Sequence, residues 1–323
     1  MNVRIINSCR VCGFKKLLPI FSLDELYVSD FVDDASGKRE KYPLSLVLCN
    51  ESKGGCGLLQ LQHTVPHETM YRNYWYRSGM NKTMVDELNG IVLKVKSLLN
   101  FQSGDYVMDI GANDGTLLRG YQVQKLNLVG FEPALNLMKY ARKGTTKIIN
   151  NFFNFASWKK EFADTKAKAI TAIAMFYDLD DPNKFIADVV KCLDKDGVFI
   201  IQMSYLPSML LQNAFDNICH EHLEFYSLLS LENLLKRHDL EVFDVELNDV
   251  NGGSFRIYIC HQGKGKVIKI PTAAKKRVSD LKKYEQKLGL NDRKIYNDFA
   301  KRVETLKKQT VDFIKKEISK GKK

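Results

Sequence analysis

Hydrophobic residues in the middle of the chain come in short runs that alternate with segments of helical spacing. Between residues 104 and 262 the runs include YVMDIGA, NLVGFEP, KIINNFF, AITAIAMF and GVFIIQMSY. Continuous apolar runs of this length, separated by helical patterns, are typical of parallel strands buried under helices. Two later runs, LEVFDVEL and SFRIYICH, are joined by the turn-rich NDVNGG, which favours an antiparallel hairpin. We therefore predict a doubly wound α/β sheet with five parallel strands followed by a hairpin.

Helical patterns flank this sheet on both sides. The aromatic cluster YRNYWYRSGMNKTM leads into an amphipathic helix whose apolar residues, from Val85 to Leu99, recur near every 3.6 positions. Past Pro271 the pattern is entirely helical. Its last stretch has a heptad-like seam made of Tyr296, Phe299, Val303, Leu306, Thr310 and Phe313. The chain is thus predicted to have a cysteine-bearing module over 1–70, an α/β domain over 71–262 and a helical extension over 263–323.

Composition places this architecture in a reducing compartment. The chain has 323 residues, of which 45% are hydrophobic, enough for a buried core with appended modules. It contains no apolar run of about 18 residues, as a membrane span would need, and its first residues do not resemble a signal peptide. Seven cysteines, an odd number, favour metal binding over a disulfide framework. We expect a cytoplasmic protein without a membrane span.

The net charge of +11 is concentrated near the C-terminus. Residues 264–323 contain 20 Lys and Arg residues against 7 Asp and Glu residues, while the rest of the chain has 29 against 31. The body is therefore almost neutral, and a lysine-rich helix is usually a solvated face. Nucleic acid is not the expected partner.

A glycine-containing turn follows the first strand of the predicted sheet. The strand ends in Asp109, and the chain turns through Gly111, Asn113 and Gly115 before the next helix. Such a turn lets a ligand approach backbone amides and a helix N-terminus. Glu132 ends the second strand, where a carboxylate can accept hydrogen bonds from both hydroxyls of a ribose. The pattern predicts a nucleoside site at the carboxyl edge of the sheet.

The spacing within the turn discriminates between cofactors. Dinucleotide sites favour G-x-G-x-x-G, whereas this chain has G-x-N-D-G. Asp109 would repel a pyrophosphate but would attract the amino and sulfonium groups of S-adenosylmethionine. We expect Asp109 and the Gly111–Gly115 turn to hold the methionine end of that cofactor and Glu132 to hold its ribose. An ordinary strand-to-helix turn is the alternative.

Four cysteines have the chemistry of a structural zinc site. Cys9 and Cys12 form a C-x2-C pair, and Cys49 and Cys56 can complete a tetrahedron. The six residues between the second pair include two glycines, so they can loop out. Substitute ligands nearby are His63 and His67. Free cysteines remain the alternative to Zn²⁺, and Cys192 and Cys260 are interpreted as core residues.

The segment ICHEHLEFYS, residues 218–227, contains two of the six histidines. The spacing of His220 and His222 differs from the H-E-x-x-H metal motif, which leaves a metal site or a polar loop as alternatives to catalysis. Carbon becomes nucleophilic when a proton is removed beside a carbonyl, and imidazole suits that step at neutral pH. Glu221 could hold the ring tautomer. The segment is therefore interpreted as the source of a general base.

Several motifs resemble a known family. DIGANDGTLL followed by GFEP is similar to the first two motifs of class I S-adenosylmethionine-dependent methyltransferases. CRVCG, CGLLQL, NYWYRSGMNKTM, FDNICHEHLEFYS and NGGSFRIYI occur in one order. Together, over residues 9–262, they resemble the nucleotide-sugar C-methyltransferases, which have a small zinc-binding domain ahead of the methyltransferase domain.

The resemblance implies a class I methyltransferase (Rossmann-like) fold and particular residue roles. The family base would be His222, and Tyr76 would line the substrate pocket. Many members have tyrosine where this chain has Cys219, so a hydroxyl that assists the enolate is missing here and His220 is a candidate replacement. In the family a third, Rossmann-like domain follows, and this sequence stops where that domain would be expected to begin.

The resulting hypothesis is methyl transfer from S-adenosylmethionine to a carbon beside a ketone on a nucleotide-linked sugar. One alternative is an O- or N-methyltransferase that acts on a glycan or small metabolite. Another is a non-catalytic subunit that docks an active partner. The C-terminal helical seam is expected to bind a partner chain or a second copy, unless it packs on its own body.

Overall fold

A computed structural model of the protein describes residues 3–29, 40–66, 70–71, 74–121, 125–264 and 268–322. The strands are β1 (Arg4–Ile5), β2 (Leu18–Tyr27), β3 (Lys41–Leu48), β4 (Leu59–Leu61), β5 (His63–Thr64), β6 (Tyr106–Ile110), β7 (Asn127–Phe131), β8 (Lys147–Ile149), β9 (Ala167–Ile173), β10 (Leu193–Ser204), β11 (Glu224–Phe225), β12 (Leu240–Asn248) and β13 (Ser254–His261). The helices are α1 (Lys82–Leu98), α2 (Thr116–Arg119), α3 (Met138–Ala141), α4 (Phe155–Phe162), α5 (Pro182–Cys192), α6 (Leu206–Gln212), α7 (Leu228–Leu235), α8 (Ala274–Leu288) and α9 (Arg293–Ser319).

Seven strands of the described residues form the central sheet, in the order β12–β13–β10–β9–β6–β7–β8. The five neighbouring strands β10, β9, β6, β7 and β8 are parallel. Strand β13 pairs in the antiparallel direction with both β10 and β12. This confirms the predicted sheet and the class I methyltransferase fold. From β6 the chain first builds β7 and β8 on one side and then β9 and β10 on the other. The order therefore reverses at β6 and β9, where ligands bind in open α/β sheets.

The N-terminal residues form a second sheet that borrows a strand from the middle of the chain. Its order is β11–β4–β3–β2, and each pair is antiparallel. In β11, Glu224 pairs with Gln60 and Phe225 with Leu59. The segment that directly follows the two histidines is therefore the fourth strand of the cysteine-bearing module.

The helices after the hairpin pack against both sheets. Arg277 of α8 donates to both carboxylate oxygens of the fully buried Asp244, at 2.8 and 2.6 Å. Glu285, also of α8, accepts hydrogen bonds from the backbone amides of Leu228 and Leu229 at 2.7 and 2.9 Å. These contacts cap the N-terminus of α7, since its first amides have no partner within the helix.

The heptad-like seam of α9 is divided between two environments. Tyr296, Phe299 and Val303 are buried, and they belong to a cluster of apolar residues with β2, β3, β4 and α6. Leu306 is 40% exposed and Phe313 is 64% exposed. The first half of the seam therefore packs on the protein's own body, while the second half remains a prediction for association. Among the described residues, no helix combines the length and apolar character that a membrane span requires.

We expect the exposed half of α9 to bind a second copy or a separate chain, because Phe313 would otherwise keep its ring in water. Phe313→Ser should weaken that association, whereas the matched change Leu93→Ser, at an exposed position of α1, should not. Light scattering and a pull-down measure the two forms of association. A wild type that is monomeric and recovers no partner would refute the expectation.

Candidate active site

A cavity of about 660 Å³ opens at the carboxyl edge of the central sheet. It is lined by residues at the carboxyl ends of four parallel strands, namely Asp109 near the end of β6, Glu132 after β7, Asn151 after β8 and Asp178 after β9. The aromatic segment 74–76 forms another wall. The cavity has the place and size of a site for a nucleoside cofactor with part of a second substrate.

The predicted glycine turn has the backbone conformation that a close ligand approach needs. Gly111, Asn113 and Gly115 have φ angles of 72°, 50° and 80°. A Cβ on Gly111 would lie 3.2 Å from Met175, at the cavity wall. A Cβ on Gly115 would lie 2.8 Å from the carbonyl oxygen of Ala141. Gly111 therefore keeps the cavity open, and Gly115 allows α2 to pack closely against α3.

The two predicted carboxyl groups are buried at the cavity. Asp109 accepts a hydrogen bond from the Thr171 hydroxyl at 2.6 Å, and burial raises its pKa to about 7. Glu132 accepts the backbone amides of Asn113 and Ala134 at 2.7 and 2.8 Å, and burial also raises its pKa to about 7. A cationic ligand would stabilise the charged form of both groups.

Asn113 acts through its side chain in a way that the sequence did not indicate. Its Oδ1 accepts the backbone amide of Ser78 at 2.9 Å, and its Nδ2 donates to the carbonyl oxygen of Tyr76 at 3.1 Å. The neighbouring Asp114 accepts the amide of Gly79 at 3.0 Å. The turn therefore holds the aromatic segment over the cavity, where Tyr76 forms part of the wall.

His222 lies beside the cavity with one ring nitrogen committed to the backbone. Its Nδ1 is 2.8 Å from the carbonyl oxygen of Asn217 and must donate to it, which leaves Nε2 as the acceptor. Its ring is 4.2 Å from the ring of Tyr177, a residue of the cavity wall. Burial lowers the pKa of His222 to about 4. The ring is therefore neutral at pH 7 and able to accept a proton.

The other two residues of the HEH motif have different surroundings. His220 is buried, and its Nε2 donates to the carbonyl oxygen of Tyr42 in β3 at 3.0 Å. Its ring therefore faces the N-terminal module. One carboxylate oxygen of Glu221 is buried without a hydrogen-bond partner among the described residues. The carbonyl oxygen of Glu221 is 3.5 Å from the hydroxyl of Tyr71, which lines the cavity.

Asp178 is a candidate functional residue that the sequence reasoning missed. It lies in a short 3₁₀ helix, Phe176–Asp178, just past the carboxyl end of β9, and it lines the cavity. The rule that selected Asp109 and Glu132, an acidic residue after a parallel strand, would also have selected Asp178 in the run MFYD.

The four predicted cysteines come together in the N-terminal module. The Sγ atoms of Cys9 and Cys56 are 3.6 Å apart, and those of Cys12 and Cys49 are 3.4 Å apart. All four lie within 4.8 Å of one another. Tetrahedral Zn–S bonds of about 2.3 Å would place the sulfurs about 3.8 Å apart. The cluster therefore fits a closed structural zinc site.

The insertion between Cys49 and Cys56 loops out as the glycines allow. Residues 51–53 form a 3₁₀ turn capped by Asn50, and Gly54 takes a φ of 89°. The amide of Cys56 then donates to Cys49 Sγ at 3.3 Å. Of the substitute ligands, His63 lies in β5 outside the cluster, and His67 lies outside the described residues. Cys192 and Cys260 are buried in the core, as expected.

Comparison with known families agrees with this architecture. Residues 76–245 match a family described as a methyltransferase domain, residues 9–71 match a "Putative zinc binding domain", and residues 249–323 match a C-methyltransferase C-terminal domain. The chain belongs to the methyltransferase domain family. It is an S-adenosylmethionine-dependent C-methyltransferase with an N-terminal zinc-binding domain. The segment predicted to be a helical extension, residues 263–323, therefore lies within the match to the C-methyltransferase C-terminal domain.

The chain is also similar to a curated relative over almost its whole length. C-methyltransferase NovU of Streptomyces niveus is 27% identical over 329 residues, which cover 99% of this chain and 75% of NovU. Among solved structures, a Haloferax volcanii methyltransferase complexed with the Trm112 activator is 16% identical, with a TM-score of 0.46 over 57% of this chain and 94% of that one. Cyclopropane synthase MmaA2 of Mycobacterium tuberculosis is 13% identical, with a TM-score of 0.42 over 60% and 90% of the two chains.

We predict about one zinc ion per chain, held by the four clustered cysteines, because their sulfur atoms have the spacing of a tetrahedral site. Cys12→Ser should lower the zinc content and the solubility, since a structural site contributes folding free energy. Cys260→Ser, the same change outside the cluster, should keep the metal. Metal analysis of protein purified without chelator measures the content, and a stable, metal-free wild type would contradict the prediction.

Proposed function

We propose that the protein methylates a carbon beside a ketone on a nucleotide-linked sugar, with His222 as the general base. The observation that carries this proposal is the neutral imidazole of His222 against Tyr177 of the cavity wall, with Nε2 left as the acceptor by the hydrogen bond from Nδ1 to the carbonyl oxygen of Asn217. The resemblance of the motifs to nucleotide-sugar C-methyltransferases supports the substrate class. C-methylation needs such a base because a carbon acid must lose its proton to become nucleophilic.

The cavity residues have separate roles in the proposed reaction. Asp109 and the Gly111–Gly115 turn bind the methionine end of the cofactor, and Glu132 binds its ribose. S-adenosylmethionine supplies an electrophilic methyl group when it is bound. Asn113 acts indirectly, since its side chain fixes the aromatic segment. Holding the acceptor carbon in line with the methyl group contributes much of the rate, as positioning does in such displacements.

The aromatic segment forms the substrate side of the cavity, and the HEH loop lies beside it through the contact of His222 with Tyr177. Tyr76 lines the substrate pocket, and Glu221 contacts the sugar or orients His222. His220 donates to the carbonyl oxygen of Tyr42, so we assign it to positioning the loop. An O- or N-methyltransferase would need a base only for a hydroxyl or amine and would not exchange a carbon-bound proton. That difference distinguishes the two reaction types.

We expect the affinity for S-adenosylhomocysteine to rise as the pH rises through about 7. Burial raises the pKa values of Asp109 and Glu132 to about 7 in the free protein. The ligand's ammonium group favours the ionised carboxylates, so binding below that pH must release protons. Calorimetry in buffers of different ionisation enthalpy measures the release. Affinity that is independent of pH between 5 and 8 would oppose this assignment.

Glu132→Ala should weaken the binding of S-adenosylhomocysteine by roughly 1.5–3 kcal/mol, as expected for the loss of a charged hydrogen-bond acceptor. Glu161→Ala removes an exposed carboxylate of α4 that pairs with Lys147 and should leave the affinity unchanged. Preferential binding of NAD by the wild type would overturn the cofactor assignment at these residues.

His222→Ala should reduce kcat by about 10²–10⁴-fold, the usual contribution of a general base, while cofactor affinity stays nearly constant. The direct measurement is exchange of the acidic C–H of a deoxyketosugar nucleotide in deuterium oxide, with S-adenosylhomocysteine bound so that no methyl group is available. The wild type should exchange and the variant should not. His220→Ala should have a smaller effect, and His238→Gln serves as a control outside the site. If the His222→Ala variant still exchanges the C–H, the general base is another residue.

A further inference from the structure

Asp178 differs from the other carboxyl groups of the cavity in its hydrogen bonding. Its Oδ1 is buried and has no hydrogen-bond partner among the described residues. Asp109 has Thr171, Glu132 has two backbone amides, and Asp180 forms an ion pair with Arg4. Besides its hydrogen bond with Tyr71, the Asp178 carboxyl group therefore has one buried oxygen for which the described residues supply no partner.

The backbone places Asp178 next to the proposed base. The carbonyl oxygen of Tyr177 accepts the amide of Leu223 at 2.8 Å, and the Tyr177 ring packs on His222. Residues 177–178 and 222–223 therefore run side by side at the cavity. A substrate group that contacts Asp178 in the cavity therefore lies close to the loop that contains His222.

Among the described residues, the groups that interact with Asp178 are acidic or neutral. They are Tyr71, which precedes the aromatic segment, and Tyr74 within it. Cys219 and Glu221 of the HEH loop and Glu224 of β11 also interact with Asp178, and Tyr177 precedes it in the same turn. Burial, assisted by Glu221, raises the pKa of Asp178 well above its usual range, and the hydrogen bond with Tyr71 offsets this only in part. These surroundings favour the neutral form of the carboxyl group, which carries a hydroxyl donor.

We propose that Asp178 donates a hydrogen bond to the ketone oxygen of the acceptor and stabilises the enolate that His222 generates. The C–H bond beside the ketone breaks, and its proton moves to Nε2 of His222. The electron pair forms the C=C bond, and the carbonyl pair moves to the oxygen that Asp178 contacts. The carboxyl group keeps its proton, so the step is balanced without another reactant. Asp178 thereby takes the place of the hydroxyl that Cys219 lacks.

This inference rests on the proposed C-methylation, and two substitutions of similar size test it. Asp178→Asn retains a hydrogen-bond donor that cannot ionise, whereas Asp178→Leu removes the donor. The readout is the exchange of the C–H beside the ketone in a panel of nucleotide-linked deoxyketosugars, in deuterium oxide with S-adenosylhomocysteine bound. Asp178→Leu should slow exchange by about 10²–10³-fold, the usual loss for one oxyanion donor. Asp178→Asn should stay within about 10-fold of the wild type, since its amide still donates.

The pH profile supplies a second readout that a purely structural role would not change. Exchange by the wild type should fall at alkaline pH as the Asp178 carboxyl ionises, and Asp178→Asn should lack this decline. Asp181→Asn is the matched control, because asparagine caps a helix as well as aspartate does and Asp181 caps α5. S-adenosylhomocysteine binding and zinc content report whether each variant is folded.

The outcomes separate this inference from the function on which it depends. If the wild type exchanges and Asp178→Asn falls as far as Asp178→Leu, Asp178 acts as an ionised group, for example toward a cationic substituent, and the inference is wrong. Full activity of folded Asp178→Leu would also overturn it. A wild type that exchanges no deoxyketosugar would refute the proposed function itself, together with the role of Asp178.

Discussion

The position of His222 depends on the pairing of β11 with β4. The amide of Leu61 donates to the carbonyl oxygen of Leu223 at 2.9 Å, and the ladder continues through Glu224 and Gln60. At the other end of the segment, Glu285 caps α7. The loop with the proposed base is therefore fixed by the zinc-binding domain on one side and by the C-terminal helices on the other.

The buried side chain of Arg10 strengthens this connection between the zinc-binding domain and β11. Arg10, next to Cys9, donates to the carbonyl oxygen of Leu61 at 2.6 Å and to the hydroxyl of Thr64 at 2.8 Å, and its Nε lies 4.0 Å from Glu224. Burial raises the pKa of Glu224 well above its usual range, and neither of its carboxyl oxygens has a hydrogen-bond partner among the described residues, so the hydrogen bonds of Arg10 carry this connection. Loss of the zinc-binding fold would thus disturb the loop that contains His222.

Much of the site was predictable because its residues follow from local patterns. The carboxyl ends of parallel strands meet at one edge of a sheet, so Asp109 and Glu132 were expected to lie together, and Asp178 obeys the same rule although it was overlooked. The looped-out insertion before Cys56 was predictable from its glycines. The side-chain bonds of Asn113 were not, since they depend on where a segment about 35 residues away in the chain is packed.

The sequence by itself determined the five parallel strands with the hairpin after them, the four cysteines of the cluster, and Asp109 and Glu132 at the cofactor cavity, because periodicity and spacing act over short distances. Only the tertiary structure decided the roles of His220 and His222. These residues are two positions apart, yet one bonds to β3 and the other packs beside the cavity. The same holds for α9, whose uniform seam is buried as far as Val303 and exposed beyond it. In both cases the deciding contacts include residues distant in sequence, Tyr42 and Tyr177 for the two histidines and β2–β4 for α9, which no local pattern records.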